Sequence, residues 1–173
     1  MAVLKVNDEC LAPENEVHLY YQGPDPWEVV EKISDNIRAF FHVSASGQNH
    51  ERLNWDITED PITYWSRWWV RKKMSRMTDA LIYIWVQGTK YKTDNTGRFH
   101  LRMHAEVRTT VEGPWIILKP FWVTYSYLFY DRVRRRFIER CRDLTMNFRN
   151  WIKEEYGLQF TTIPQAHTVF GNR

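Results

Sequence analysis

An alternating run of aromatic and cationic residues lies between positions 65 and 73. Side chains at every second position of a β-strand share a face, and one face of this run holds Trp65, Arg67, Trp69, Arg71 and Lys73. Indole rings can stack on nucleobases while cations contact phosphates or anionic lipid headgroups. A structural cation–π ladder on a partly covered sheet has the same pattern. The run therefore predicts either such a ladder or a surface that binds nucleic acid or an anionic membrane.

A second group of cations falls within a few helical turns near the C-terminus: Arg132, Arg134, Arg135, Arg136, Arg140 and Arg142. A cluster of this kind attracts phosphates or anionic lipid. Arg135 and Arg142 lie on the polar side of the predicted helix, where Glu139 and Asp143 are available as partners within the helix. This side is either a second anion-binding surface or a solvated helix face.

Arg134 differs from its neighbours because its helical angle places it in the apolar sector, on the side of Ile138 and Thr145. A guanidinium directed at an aromatic-lined space can hold a ligand carboxylate or phosphate in a bidentate fork. It can also pair with an acid from another element or extend past the rim of the core. Arg134 is therefore a candidate polar anchor for a ligand, with a structural role as the alternative.

Groups that support catalysis or metal binding are sparse. His100 and His104 share a strand face but lie about 13 Å apart along it, too far for both to bind one metal ion. The sequence contains no GxSxG, HExxH, phosphate-binding loop or dinucleotide glycine pattern. Cys10 and Cys141 have no CxxC companion. We expect no metal and no cofactor, and the sequence leaves open whether the protein is an enzyme.

The element that must position these groups is a long amphipathic helix predicted over residues 129–157. Its apolar residues recur at alternating spacings of three and four, the period of a helix: Tyr130, Val133, Phe137, Cys141, Leu144, Phe148 and Trp151. A helix with such a stripe needs an apolar surface to cover. We expect the strands that precede it to form that surface.

From residue 49 to 128 the hydrophobic period changes to about 2, which predicts antiparallel strands. The clearest alternation covers 97–111, with Phe99, Met103 and their companions on one face and arginines and histidines on the other. Further strands are predicted at these ranges: 17–21, 52–57, 62–72, 80–91 and 115–128. Asp25, Pro26 and Glu28 form a capping-box pattern for a helix that ends near His42. We expect a loosely held lead-in at 1–15 and an irregular tail at 158–173.

The chain length predicts one domain over residues 1–173, with a core at about 17–157, and the order of the predicted helices and strands predicts an α+β architecture. The net charge of +3 is too small to indicate nucleic-acid binding by itself. The first residues lack the apolar core of a signal peptide, and nothing suggests a disulfide framework. We therefore expect a soluble, cytoplasmic protein.

The order of these elements resembles the helix-grip fold of the START-like superfamily, also called Bet v-like or polyketide-cyclase-like. The resemblance covers roughly residues 17–156 and lies in the sequence of elements: an N-terminal strand and helix, an antiparallel β-meander and a long C-terminal helix. No diagnostic motif accompanies it. The resemblance implies that the sheet curves around the C-terminal helix and that a hydrophobic ligand cavity lies between them.

The function expected from this resemblance is binding of a hydrophobic or amphipathic small molecule in that cavity. The expected walls and polar anchor are Tyr83, Phe99, Met103, Phe121, Tyr125 and Arg134. One alternative is a cyclase-like or hydrolase-like enzyme that uses the same cavity. Another is a binder of nucleic acid or anionic membrane that uses Trp65, Arg67, Trp69, Arg71, Arg135 and Arg142. A structural protein that forms homo-oligomers is the third alternative.

Overall fold

The computed structural model describes residues 2–113, 120, 124 and 131–160. The described elements, in chain order, are β1 (Ala2–Glu9), β2 (Glu16–Pro24), α1 (Pro26–Phe41), β3 (Gln48–Asp56), β4 (Ile62–Lys73), β5 (Thr78–Lys90), β6 (Thr96–Gly113), α2 (Asp131–Tyr156) and β7 (Gln159–Phe160). The predicted α+β fold is confirmed: an antiparallel sheet wraps around a long C-terminal helix.

The strands form one antiparallel sheet in the order β3-β4-β5-β6-β2-β7, and β1 also pairs with β6. Strand β6 is 18 residues long. Its first half pairs with β2 over 96–104 and its second half pairs with β1 over 106–113. One long strand therefore connects the N-terminal strands to the β3–β5 meander.

The two faces of the sheet differ because burial alternates along most of β4, β5 and β6. The inner face is fully packed at positions such as Ile84, Leu101 and Met103, each 0 % exposed. Both helices cover this face, α1 with Val30, Ile33, Ile37 and Phe41, and α2 with Cys141, Thr145, Phe148 and Ile152. Phe148 joins the helices through Phe41, at a ring distance of 4.8 Å. Of the helices whose packing the structure describes, neither α1 nor α2 covers the outer face.

The start of α1 differs from its prediction in one respect. Helix α1 begins at Pro26, and His42 caps its C-terminal end, as expected. Asp25, however, adopts a left-handed conformation with φ 39° and makes no side-chain capping hydrogen bond. Its carboxylate instead accepts a hydrogen bond from Lys90 Nζ at 2.9 Å. Asp25 is therefore the N-cap residue as predicted, but the capping box does not form because this carboxylate binds a tertiary partner on β5.

Two strand predictions are also corrected. The lead-in predicted at 1–15 contains β1, whose pairing with β6 joins residues about 100 positions apart and leaves no local signal. Of the strand predicted at 115–128, the structure describes only Pro120 and Thr124, and both are helical. The strand prediction is wrong at those two positions, and its other residues lie outside the described ones.

An ion pair between a buried carboxylate and a partly exposed arginine joins β1 to α2. Arg134 donates to both carboxylate oxygens of Asp8, and its Nε lies 2.7 Å from Oδ2. The Asp8 side chain is 3 % exposed and the Arg134 side chain 39 %. Arg134 therefore adopts the structural alternative that the sequence left open, since its fork is occupied by a carboxylate of the same chain.

Removing Arg134 should destabilise the fold because it leaves the Asp8 carboxylate buried and unpaired. We expect Arg134→Leu to lower the free energy of unfolding by roughly 3 kcal/mol, at the low end of values for broken buried pairs because Arg134 is partly exposed. The double variant Asp8→Leu/Arg134→Leu should recover much of this loss. Urea unfolding measures both, with the exposed Arg136→Leu as the matched control on the same helix. A loss in Arg134→Leu no larger than in that control would contradict the assignment.

Candidate functional site

The residues predicted to line a sheet–helix cavity do not share one surface. Phe99 and Met103 lie on the inner face, where they are 1 % and 0 % exposed. Tyr83 pairs in register with His104 and Trp69 and therefore lies on the outer face. Its assignment to the same wall is wrong because residues 80–86 are apolar on both faces, so the sequence did not show which side points inward. Phe121 and Tyr125 lie outside the described residues, and the cavity itself stays a prediction.

The outer face of β2–β6 is named here the open face. It carries aromatic, arginine, histidine and amide side chains. Strand register arranges them in three neighbouring rows across the sheet: Asn54–Trp65–Gln87–His100–Tyr20, Arg52–Arg67–Trp85–Arg102–His18, and Asn49–Trp69–Tyr83–His104–Glu16. Side chains that are opposite each other on adjacent strands lie about 5 Å apart. The open face is therefore a continuous grid of aromatic, guanidinium and amide groups.

The middle of this grid is a cation–π ladder. The Arg67 guanidinium lies 5.4 Å from the ring centroid of Tyr83 and 5.5 Å from that of Trp85. Arg102 lies 4.7 Å from the Trp85 centroid. Contacts of this type contribute about 0.5–1 kcal/mol each at exposed sites. The ladder predicted among residues 65–73 does not form within that strand, because Arg67 contacts rings on β5 and not Trp65 or Trp69; the observed ladder runs across β4, β5 and β6.

Carboxylates pair with three cations of the open face. Arg67 Nε lies 2.9 Å from Glu51, Arg71 Nη2 lies 2.6 Å from Asp79, and Arg102 Nε lies 3.7 Å from Glu16. These ion pairs hold the guanidinium planes in place and neutralise much of the charge at the centre. Arg52 and Arg98 differ, because they are exposed and make no ion pair within the described residues. The available positive charge thus lies at the edges of the grid.

Two indoles lie on either side of the ladder with their rings available. Trp65 and Trp69 are partly exposed and alternate with Arg67 along β4. Among the residues that the structure describes, neither ring contacts another aromatic ring or a guanidinium. Trp85, in contrast, contacts two guanidinium groups. Trp65 and Trp69 are therefore the indoles on this face that a flat ligand can contact.

Beside Trp65 the open face deepens into a cleft of about 640 Å³. Its outward-pointing lining comes from five strands and consists of Tyr20, Asn54, Asp56, Thr63, Trp65, Gln87, Thr89, Arg98 and His100. The floor includes Gly88, where a Cβ atom would lie 2.5 Å from the Tyr64 ring on the inner face. This volume lies in the range of small-ligand sites, which combine apolar walls with a few polar groups.

A histidine pair borders the cleft. His18 Nδ1 and His100 Nε2 lie 3.0 Å apart, and their rings are nearly parallel. One ring must donate and the other accept, so at least one of the two must be unprotonated for the hydrogen bond to form. Burial lowers the pKa of both rings, with Arg102 lowering them further and Glu16 acting in the opposite direction. The pair is thus stable in its neutral form.

The residues predicted for anion binding fall on two separate surfaces. Trp65, Arg67, Trp69 and Arg71 lie together on the open face. Arg135 and Arg142 are exposed on α2, which covers the opposite side of the sheet. Sequence reasoning missed Trp85, Gln87 and Tyr20 as neighbours of the ladder. The alternation in 97–111 had already placed Arg98, His100 and Arg102 on a wet face, but only cross-strand register brings them beside Trp65.

Metal-binding clusters and membrane-spanning helices are absent from the described part of the chain. There, no group of three or more His, Cys, Asp or Glu side chains is arranged to hold a metal ion. None of the described helices is long and apolar enough to cross a membrane.

The histidine pair should make stability depend on pH. The folded state holds both pKa values below the ordinary value of 6.5, so the unfolded chain binds more protons once the pH falls below about 6.5. Stability is therefore present above that pH and is lost as the pH falls toward the folded-state pKa values. We expect His18→Gln/His100→Gln to lose less stability than the wild type between pH 7.5 and 5.5 in urea unfolding. The exposed His42→Asn serves as the control, and a double variant with the full wild-type pH slope would contradict the assignment.

No protein-family model matches the chain, and no curated protein matches it.

Proposed function

We propose that this protein binds single-stranded nucleic acid on the open face of its sheet. The observation that carries the proposal is the arrangement of Trp65 and Trp69, two indoles with available rings on either side of a guanidinium ladder. Base–aromatic stacking contributes about 1–3 kcal/mol per base and tolerates every base. Two such contacts on a rigid sheet supply affinity without a deep pocket.

The spacing of the indoles favours a single strand over a duplex. Trp65 and Trp69 are four residues apart on β4, which corresponds to about 13 Å. Bases stacked on both rings must be splayed apart and turned toward the sheet. Single strands expose their bases in this way, whereas a duplex keeps its bases stacked inside.

The distribution of charge supports the same ligand and limits its electrostatic contribution. Because ion pairs neutralise the centre, phosphates would be met by the edge cations Arg52 and Arg98 and by Lys73 at the end of β4. Each phosphate contact to a single strand contributes about −0.7 to the slope of log K against log salt. Three contacts give a slope of about −2, so stacking should carry more of the affinity than charge.

A membrane surface fits the open face less well. Insertion into the acyl region requires apolar side chains that can be dehydrated together. On this face the rings of Tyr83 and Trp85 contact guanidinium groups, and those guanidinium groups pair with carboxylates. Burial of the rings would strip water from those charges, which is costly.

Fluorescence anisotropy with labelled octamers of single-stranded RNA and DNA tests the proposal. Trp65→Ala and Trp69→Ala should each weaken binding about 5- to 150-fold, the equivalent of one stacked base. Trp65→Phe should retain most of the affinity because it keeps an aromatic ring. Thermal unfolding checks that each variant remains folded.

The matched control is Arg135→Ala/Arg142→Ala, which removes charge from the helix surface and should leave octamer binding unchanged. A duplex of the same sequence should bind more weakly than either strand. The proposal is wrong if no octamer binds, if the helix variant loses affinity while the tryptophan variants do not, or if only phosphatidylserine vesicles are bound.

A further inference from the structure

The cleft beside Trp65 contains two carboxamide side chains that the stacking of a base on the indole does not require. Asn54 on β3 and Gln87 on β5 are the register neighbours of Trp65 on its two sides. Both are exposed, and the Cβ atom of each lies about 5 Å from the Cβ atom of Trp65 across the strands. A base stacked on Trp65 would therefore meet a carboxamide at its edge.

The hydrogen-bonding capacity of these groups is unused. Within the described residues, the side chains of Asn54, Gln87 and Arg98 make no hydrogen bond or ion pair. His100 is the register partner of Gln87, and it is already bonded to His18. Gln87 is thus the central group of the row that can accept and donate toward a ligand.

A carboxamide discriminates among bases because it presents one donor beside one acceptor. Adenine offers the complementary pair, an N6 amino donor beside the N7 acceptor, and Gln or Asn reads this edge with two hydrogen bonds. Guanine presents two acceptors on the corresponding edge and is read by Arg or Lys. Such a bidentate contact favours binding of the matching base over a mismatched base by about 1–3 kcal/mol.

A cation for the phosphate lies at a suitable distance from the carboxamide. Arg98 is two residues before His100 on β6 and is therefore the diagonal neighbour of Gln87, about 7–8 Å away. Because Arg98 is exposed and bordered by Thr89, its guanidinium has no competing carboxylate among the described ion pairs. Base, edge and phosphate contacts can be made within one cleft of about 640 Å³.

We infer that this cleft is an adenine-nucleotide subsite of the open face, in which Trp65 stacks the base, Gln87 reads its N6–N7 edge and Arg98 holds the phosphate. The inference rests on the proposed function, because the subsite belongs to the same nucleic-acid-binding face. It adds base preference to a surface that otherwise binds every sequence alike.

Octamers that differ at a single position test this subsite. Uridine octamers carrying one central adenosine, guanosine or cytidine are compared with the all-uridine octamer by anisotropy. The adenosine octamer should bind about 5- to 150-fold more tightly than the all-uridine octamer. Gln87→Leu should abolish this ratio, Trp65→Ala should weaken every octamer, and Arg135→Ala should preserve the ratio.

The outcomes separate the inference from the function on which it rests. Equal binding of all octamers by the wild type, together with weaker binding by Trp69→Ala, would reject the adenine subsite and leave the nucleic-acid face standing. A preference for guanosine, or an adenosine preference that survives Gln87→Leu, would also overturn the assignment of Gln87. Failure of every octamer to bind would reject both.

Discussion

Strict alternation along β6 is the constraint on which the other features of this protein depend. Every second residue of the strand, from Phe99 to Val107, is buried, and the strand pairs with β5 on one side and with β2 and β1 on the other. A slip of one residue would move this whole set to solvent. The register of β6 therefore determines which side chains of three neighbouring strands share a face.

Because α1 and α2 cover one face, the same register leaves the polar side chains of β2–β6 on the face that neither of these helices covers. The inner face is occupied by an apolar core closed by α1 and α2. The outer face keeps its arginines partly in water, and carboxylates such as Glu51 and Glu16 orient them over aromatic rings. A rigid, partly neutralised surface of this kind suits ligands with flat faces better than ligands recognised by charge alone.

Two ion pairs join the helices to strands that are distant from them in sequence. Asp8 of β1 binds Arg134 of α2, so an ion pair with a buried carboxylate joins this strand to this helix. Lys90 of β5 binds Asp25 at the start of α1 in a similar way. The sequence predicted Asp25 as a local helix cap and Arg134 as a ligand anchor. In the structure each of them joins two elements that are distant in the chain.

The sequence by itself determined the local periods: the two helices, the alternation at 97–111 and the shared strand face of Trp65, Arg67 and Trp69. These features depend on residues close in the chain, so they are readable without a structure. Tertiary structure alone decided the inward side of Tyr83, the pairing of β1 and the partner of Arg134. It also placed Gln87 beside Trp65, because strand register is set by packing between segments far apart in sequence.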